Sequence, residues 1–205
     1  MNVWRELRPA TRSLVERALI ANAAAQPQTK TGVAKRRMTP YDAPAEADLS
    51  RLLRALDERL AESVARRENA LDPQQREDLR RMIRTCAGVL QTAAQSAESF
   101  AQLLQRALFA HDYAQVDALA DSLPTQLSPT EICELARHTD RRVRAVACEA
   151  LAQVPVSLLV ELLADPVDAE QARAALHAQA HDYGSEEARW VIEALSITDD
   201  DLIED

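Results

Sequence analysis

Apolar residues recur along most of this chain at steps of three and four, the period of a helix with one buried face. Over residues 3–22 the stripe is Trp4, Leu7, Thr11, Leu14, Val15 and Ala18, flanked by Arg5, Arg8, Arg12 and Arg17. This predicts a first amphipathic helix. The pattern lapses over 23–47, where Pro27, Pro40, Pro44, Gly32 and the basic run Lys35-Arg36-Arg37 predict a linker. It resumes with Leu49, Leu52, Leu53, Leu56, Leu60 and Val64, on a helix expected to start at Asp48 or Ser50 and to end near Asn69. Asp72-Pro73-Gln74-Gln75 then supplies an N-cap, a proline at the first helical position and a glutamine at the third. The stripe that follows, Leu79, Met82, Ile83, Cys86, Leu90, Ala93, Ala97, Phe100, Leu104 and Leu108, approaches a heptad. It predicts one helix running to Ala110, with a break near Gly88 or Gln95–Ser96 as the alternative.

Beyond His111 the elements shorten. Helices are predicted at 114–122, 128–138, 140–152, 155–164, 167–181 and 185–195, with Pro124, Pro129, Pro155 and Pro166 near their starts. Residues 127–153 and 154–180 read as two rounds of one hairpin: a proline-started apolar helix, a polar turn carrying Asp, and an Ala-rich helix. Such a hairpin cannot bury its apolar face alone, so stacking supplies its core. The stretch 108–123 reads as a degenerate earlier round. Setting Asp112 against Asp140 places Leu119 on Ala147 and Leu123 on Leu151.

The fold expected is all-α. An N-terminal helix (1–22) and a basic linker (23–47) precede a long antiparallel helical hairpin (48–110), a short stack of hairpins (111–195) and an acidic tail (196–205). Composition agrees, since the chain has only 3 glycines and is rich in alanine, the best helix former.

Charge is uneven. Residues 1–41 carry 8 basic and 2 acidic side chains, whereas residues 111–205 carry 6 and 20. The acidic stack repels nucleic acid, whose affinity rests on phosphate neutralisation, and leaves only the 1–41 arm for an anionic partner. The 3 cysteines, Cys86, Cys133 and Cys148, lie in apolar helical patterns and read as small core residues in a reducing compartment. No apolar run is long enough to span a bilayer. Arg5, Glu6, Arg8 and Arg12 interrupt the uncharged core that a signal peptide needs, so a cytoplasmic location is expected.

The segment from Thr139 to Leu151, TDRRVRAVACEAL, resembles the second helix of a HEAT-type repeat, a helical-repeat family of the α-solenoid class. The positions that carry the likeness are Asp140, Val143, Arg144, Ala147, Ala150 and Leu151. The resemblance implies that Asp140 caps the helix and that Arg144 joins a hydrogen-bonding ladder between repeats. In the next round Asp165, Ala172, Ala175 and Leu176 stand for Asp140, Ala147, Ala150 and Leu151, while Ala169 takes the place of Arg144.

Little in the chain suggests catalysis. His177 and His181, one helical turn apart and followed by Asp182, are the candidates for a metal. Ala-His-Asp-Tyr recurs at 110–113 and 180–183, which points to turn chemistry instead. No cofactor is expected. Stacked hairpins present surfaces, so the function expected is a non-catalytic protein–protein adaptor or scaffold with a partner of cationic surface. Homo-oligomers through 1–22 and 48–110 are a further possibility. Candidate contacts are Arg137, Arg141, Arg142 and Trp190, with the acidic Asp199, Asp200 and Asp201. Trp190 reads first as a cap over the end of the stack, with a partner anchor as the alternative. The competing functions are a HEAT-like nucleic-acid-associated protein acting through the 1–41 arm and a metal-dependent enzyme using His177 and His181.

Overall fold

The computed structural model describes residues 8–24, 43–65 and 71–201, which form ten helices and no strand. The chain divides into two compact units, residues 1–94 and 95–205.

In the first unit α1 (Pro9–Ala24), α2 (Ala43–Ala65) and α3 (Pro73–Ala93) each pack on the other two. Their shared core is Val15, Leu49, Leu52, Leu53, Ile83, Cys86 and Leu90, all buried. α1 carries Pro9 in its first described turn, where a missing N–H is no loss; the predicted start at residue 3 lies outside the described residues. Trp4, Leu7 and the linker run Lys35-Arg36-Arg37 lie outside the described residues.

α2 begins at Ala43, ahead of the predicted start, with Pro44 in a first turn that has no use for its N–H. Asp48 and Ser50 are therefore not caps but buried positions inside the helix. Thr11 Oγ1 donates to Asp48 Oδ2 at 3.4 Å, Arg8 Nε lies 3.6 Å from the same oxygen, and Arg51 pairs with the other one. The carboxylate read as a cap thus ties α1 to α2.

The predicted restart at Asp72 forms in full. Asp72 Oδ1 accepts from the Gln75 N–H at 2.7 Å and Gln75 Oε1 accepts from the Asp72 N–H at 3.3 Å, a capping box with Pro73 behind it.

The single helix of 73–110 does not form; the alternative, a break at Gln95–Ser96, does. α3 stops at Ala93, Ala94 turns extended (φ −63°, ψ 134°), and α4 (Ala97–Phe109) starts behind Ser96. Ser96 Oγ accepts from the Ser99 N–H at 3.4 Å, and Glu131 Oε2, distant in sequence, accepts from the Ala97 N–H at 2.6 Å. α4 belongs to the second unit, so the hairpin of the first unit ends at Ala93 rather than at 110.

The second unit continues with α5 (Tyr113–Gln126), α6 (Pro129–Ala136), α7 (Arg141–Leu151), α8 (Val156–Leu162), α9 (Ala169–His181) and α10 (Glu186–Asp201). α4 pairs with α5, α6 with α7 and α8 with α9. Along the unit α4 touches α6, α6 touches α8 and α8 touches α10, while α5 touches α7 and α7 touches α9. Burial follows this order: Phe100, Leu104, Leu119, Leu123, Ile132, Leu135, Ala147, Leu151, Leu159, Ala172 and Leu176 are all enclosed. At about 1.5–3 kcal/mol per large apolar side chain, this burial outweighs any single cap. That decides the case of α8, whose 7 residues have no side-chain cap and are too short to persist alone. Val156 and Leu159, both buried, hold it in place.

Two further boundaries differ from expectation. Pro124 lies inside α5, not at a helix start. It removes only one hydrogen bond, in the closing turn, and Leu127 N–H still reaches the Leu123 carbonyl at 3.0 Å. Residues 196–201, expected as tail, are the end of α10.

Candidate functional site

The row-wise contacts bring the three turns 110–112, 137–140 and 163–168 to one edge of the second unit, since each joins a helix of one row to a helix of the other. The first turn exposes the largest apolar surface. Phe109 is 87% and Tyr113 is 63% exposed, and His111 between them adopts φ 55°, in the left-handed region. The His111 and Tyr113 rings lie 6.3 Å apart, and Asp112 caps α5 by accepting from the Gln115 N–H at 3.1 Å. A side chain as large as Phe109 left in water is an unsatisfied contact, of the kind found at interaction sites.

The middle turn and the start of α7 carry the three predicted arginine contacts. Asp140 caps α7 as the resemblance implied, accepting from the Arg142 N–H at 2.9 Å, and the Arg142 guanidinium folds back onto the same carboxylate at 3.1 Å. The hydrogen bonds from Arg142 hold the Asp140 carboxyl below the usual carboxylate range. Arg144 Nη1 donates to the carbonyls of His138 (2.8 Å) and Thr139 (2.9 Å), so these bonds brace its own turn. Arg141 stands exposed beside them. Val143, Ala147 and Leu151 are core.

Arg137 is committed inside the unit. Its Nη1 lies 2.6 Å from Asp168 Oδ1 and donates to the Val167 carbonyl at 3.0 Å, linking the middle turn to the third. Asp168 is 1% exposed and was not singled out from the sequence. A signal for it existed. The 25-residue step that sets Asp165 on Asp140 and Ala172 on Ala147 sets Asp168 on Val143, a carboxylate at a core position. Asp165 does not cap α9 as Asp140 caps α7; its Oδ1 accepts from the Val167 N–H at 2.8 Å and α9 starts only at Ala169. Close to this pair, burial first and the Asp168 carboxylate second push the Cys133 thiol up from 9.0 to about 11.

The opposite edge is also latched between hairpins. Gln179 Nε2 donates to the carbonyls of Ala152 (3.0 Å) and Val154 (2.6 Å), closing the end of α7 from α9. The Tyr183 hydroxyl bonds the Glu149 carboxylate, which raises its own pKa.

The remaining candidates fall elsewhere. His177 and His181 stack at 6.0 Å with their rings nearly parallel on the exposed side of α9, and Asp182 is the C-cap residue beyond them. No group of three or more His, Cys, Asp or Glu that would hold a metal occurs among the described residues. The second Ala-His-Asp-Tyr ends in Gly184 at φ 68°, a helix stop, whereas the first serves as a helix start at Asp112. Cys86 and Cys133 are buried but Cys148 is exposed, so only two of the three cysteines are core; all three are free thiols.

Trp190 does not cap the stack. It is 69% exposed on α10, while Ala188, two residues earlier, carries that helix's contact with the core. Asp199, Asp200 and Asp201 are helical in backbone, at the end of α10. No helix of the described residues is long and apolar enough to cross a membrane. Comparison with protein-family models, characterised proteins and solved structures returns no match.

Proposed function

We propose that this chain is a non-catalytic adaptor of the cytoplasm, its second unit a short HEAT-like stack that presents a fixed surface to partner proteins. The observation that carries this reading is the edge built by Phe109 and Tyr113. Two large apolar side chains stand in water on helix ends that Leu104, Leu108, Val116 and Leu119 anchor from below. Rigid presentation lowers the ordering cost of binding, which is what makes such anchors effective. The exposed Arg141, one turn along the same edge, adds a charged contact beside the apolar one.

Affinity capture of the tagged full-length chain at native expression tests the proposal, with Phe109→Ser/Tyr113→Ser as the comparison. The wild-type chain should retain a stoichiometric protein partner that the double variant, folded by circular dichroism, releases. A strict monomer with no stoichiometric partner, or a partner held equally by both, refutes the reading.

A further inference from the structure

α10 meets the rest of its unit through one side only. Ala188 is buried and Val191, Ile192 and Leu195 are half-buried against α8 and α9. Trp190, about 200° around the helix from Ala188, faces away from that contact. Glu186, Glu187 and Glu193, all exposed, lie three or four residues from Trp190 and so border it on the outward surface.

The charge of α10 is one-sided as well. Its acidic residues are Glu186, Glu187, Glu193, Asp199, Asp200 and Asp201, against the single basic Arg189. Glu186 and Glu187 suit the positive N-terminal end of the helix dipole. The three aspartates in the last turn do not, and no basic residue accompanies them there.

We propose that the outward face of α10 docks a basic amphipathic helix of a partner protein. An apolar ridge of that helix covers Trp190, and its arginines or lysines face Glu186, Glu187 and Glu193. Trp190 suits both parts of such a helix, since the indole takes aliphatic contact on its face and attracts a guanidinium there. Nucleic acid and anionic lipid are repelled by the same carboxylates. A second copy meeting α10 across a two-fold axis would set these acids against themselves. The proposal rests on the adaptor reading and names the partner class for a surface distinct from the Phe109 edge.

The test uses the full-length chain with Trp4→Phe, which leaves Trp190 as the reporting tryptophan. The probe is a synthetic helical peptide with leucine at positions i, i+3, i+4 and i+7 and arginine flanking them. Control peptides carry glutamine or glutamate in place of arginine. The arginine peptide should shift Trp190 emission to the blue and show saturable binding by calorimetry. Affinity should fall with added salt, and by about tenfold in Trp190→Ala and in the glutamine peptide. Glu186→Gln/Glu187→Gln/Glu193→Gln should weaken it in the same direction.

Equal binding by Trp190→Ala, or by the arginine and glutamine peptides, overturns the proposal. So does a dimer, seen by sedimentation, that Trp190→Ala dissolves, because a second copy is then the occupant. If these tests fail while a captured partner still depends on Phe109 and Tyr113, the α10 site falls and the adaptor reading stands. If no partner is captured either, both fall.

Discussion

Replacing Arg137 with methionine strips the counter-ion from Asp168, a carboxylate 1% exposed, while leaving the aliphatic stem of the side chain in place. The pair is close, with Nη1 to Oδ1 at 2.6 Å, and the same nitrogen holds the Val167 carbonyl at 3.0 Å. Breaking a fully buried pair costs about 3–5 kcal/mol, because the remaining charge has no partner. The Arg137 side chain is 32% exposed, so water reaches the vacated site and reduces the cost to about 2–3 kcal/mol. With a urea slope of about 1–3 kcal/mol per M, the unfolding midpoint followed by circular dichroism at pH 7 should fall by roughly 1–2 M.

The reverse change is milder. Asp168→Val supplies the residue found 25 positions earlier, Val143, and the freed guanidinium can turn to solvent. The double variant Arg137→Met/Asp168→Val should return to within about 1 kcal/mol of the wild type, since apolar side chains replace a buried pair at little cost. The reasoning is refuted if Arg137→Met loses less than about 0.5 kcal/mol, or if the double variant is as unstable as the sum of the two singles.

Three further outcomes follow from local features. Asp72→Ala removes the side-chain acceptor of the capping box, leaving only the bond from the residue 72 N–H to Gln75 Oε1, and should cost about 1 kcal/mol in urea unfolding of the first unit, with Asp72→Asn near neutral. The Cys133 thiol titrates higher folded than unfolded, so its contribution of about 2 kcal/mol is complete below pH 9 and lost as pH rises toward 11. Alkaline unfolding curves should lose that step in Cys133→Ala, and a thiol reagent at neutral pH should label the exposed Cys148 before Cys133 or Cys86. His111→Gly relieves a left-handed backbone and should raise stability by about 0.5–1 kcal/mol, whereas Gly184→Ala, at φ 68°, should lower it by about 1 kcal/mol; thermal melts of the two read opposite signs.

The helical class and the capping box at Asp72 were legible because each is a local event, and the cap at Asp140 was implied by the HEAT-type resemblance. Periodicity, a proline at a first turn and a short side chain reaching its own backbone need only neighbours in sequence. The burial of Leu119 and Leu123 with Ala147 and Leu151 was legible for a related reason, since spacing survives when the surrounding residues drift. The break before α4 was legible only as the alternative at Gln95–Ser96, behind one helix running to Ala110. Ala97, Phe100 and Leu104 continue the spacing of α3 without interruption, and the Ala97 N–H finds its acceptor in Glu131, from another helix.

The contact residues divide in the same way. Type and neighbourhood made Arg137, Arg142 and Trp190 candidates, but the partner each one has is set in space. Arg137 is held by Asp168 and Arg142 by Asp140, so neither is a free anchor. Phe109 and Tyr113 are large apolar residues in a helical stretch, yet they stand at a corner where no helix among the described residues covers them. Period and composition therefore determined that this chain is helical and where most helices begin. Tertiary packing alone decided which side chains are used up inside and which remain outside, because burial and counter-ions depend on residues brought together from distant parts of the chain.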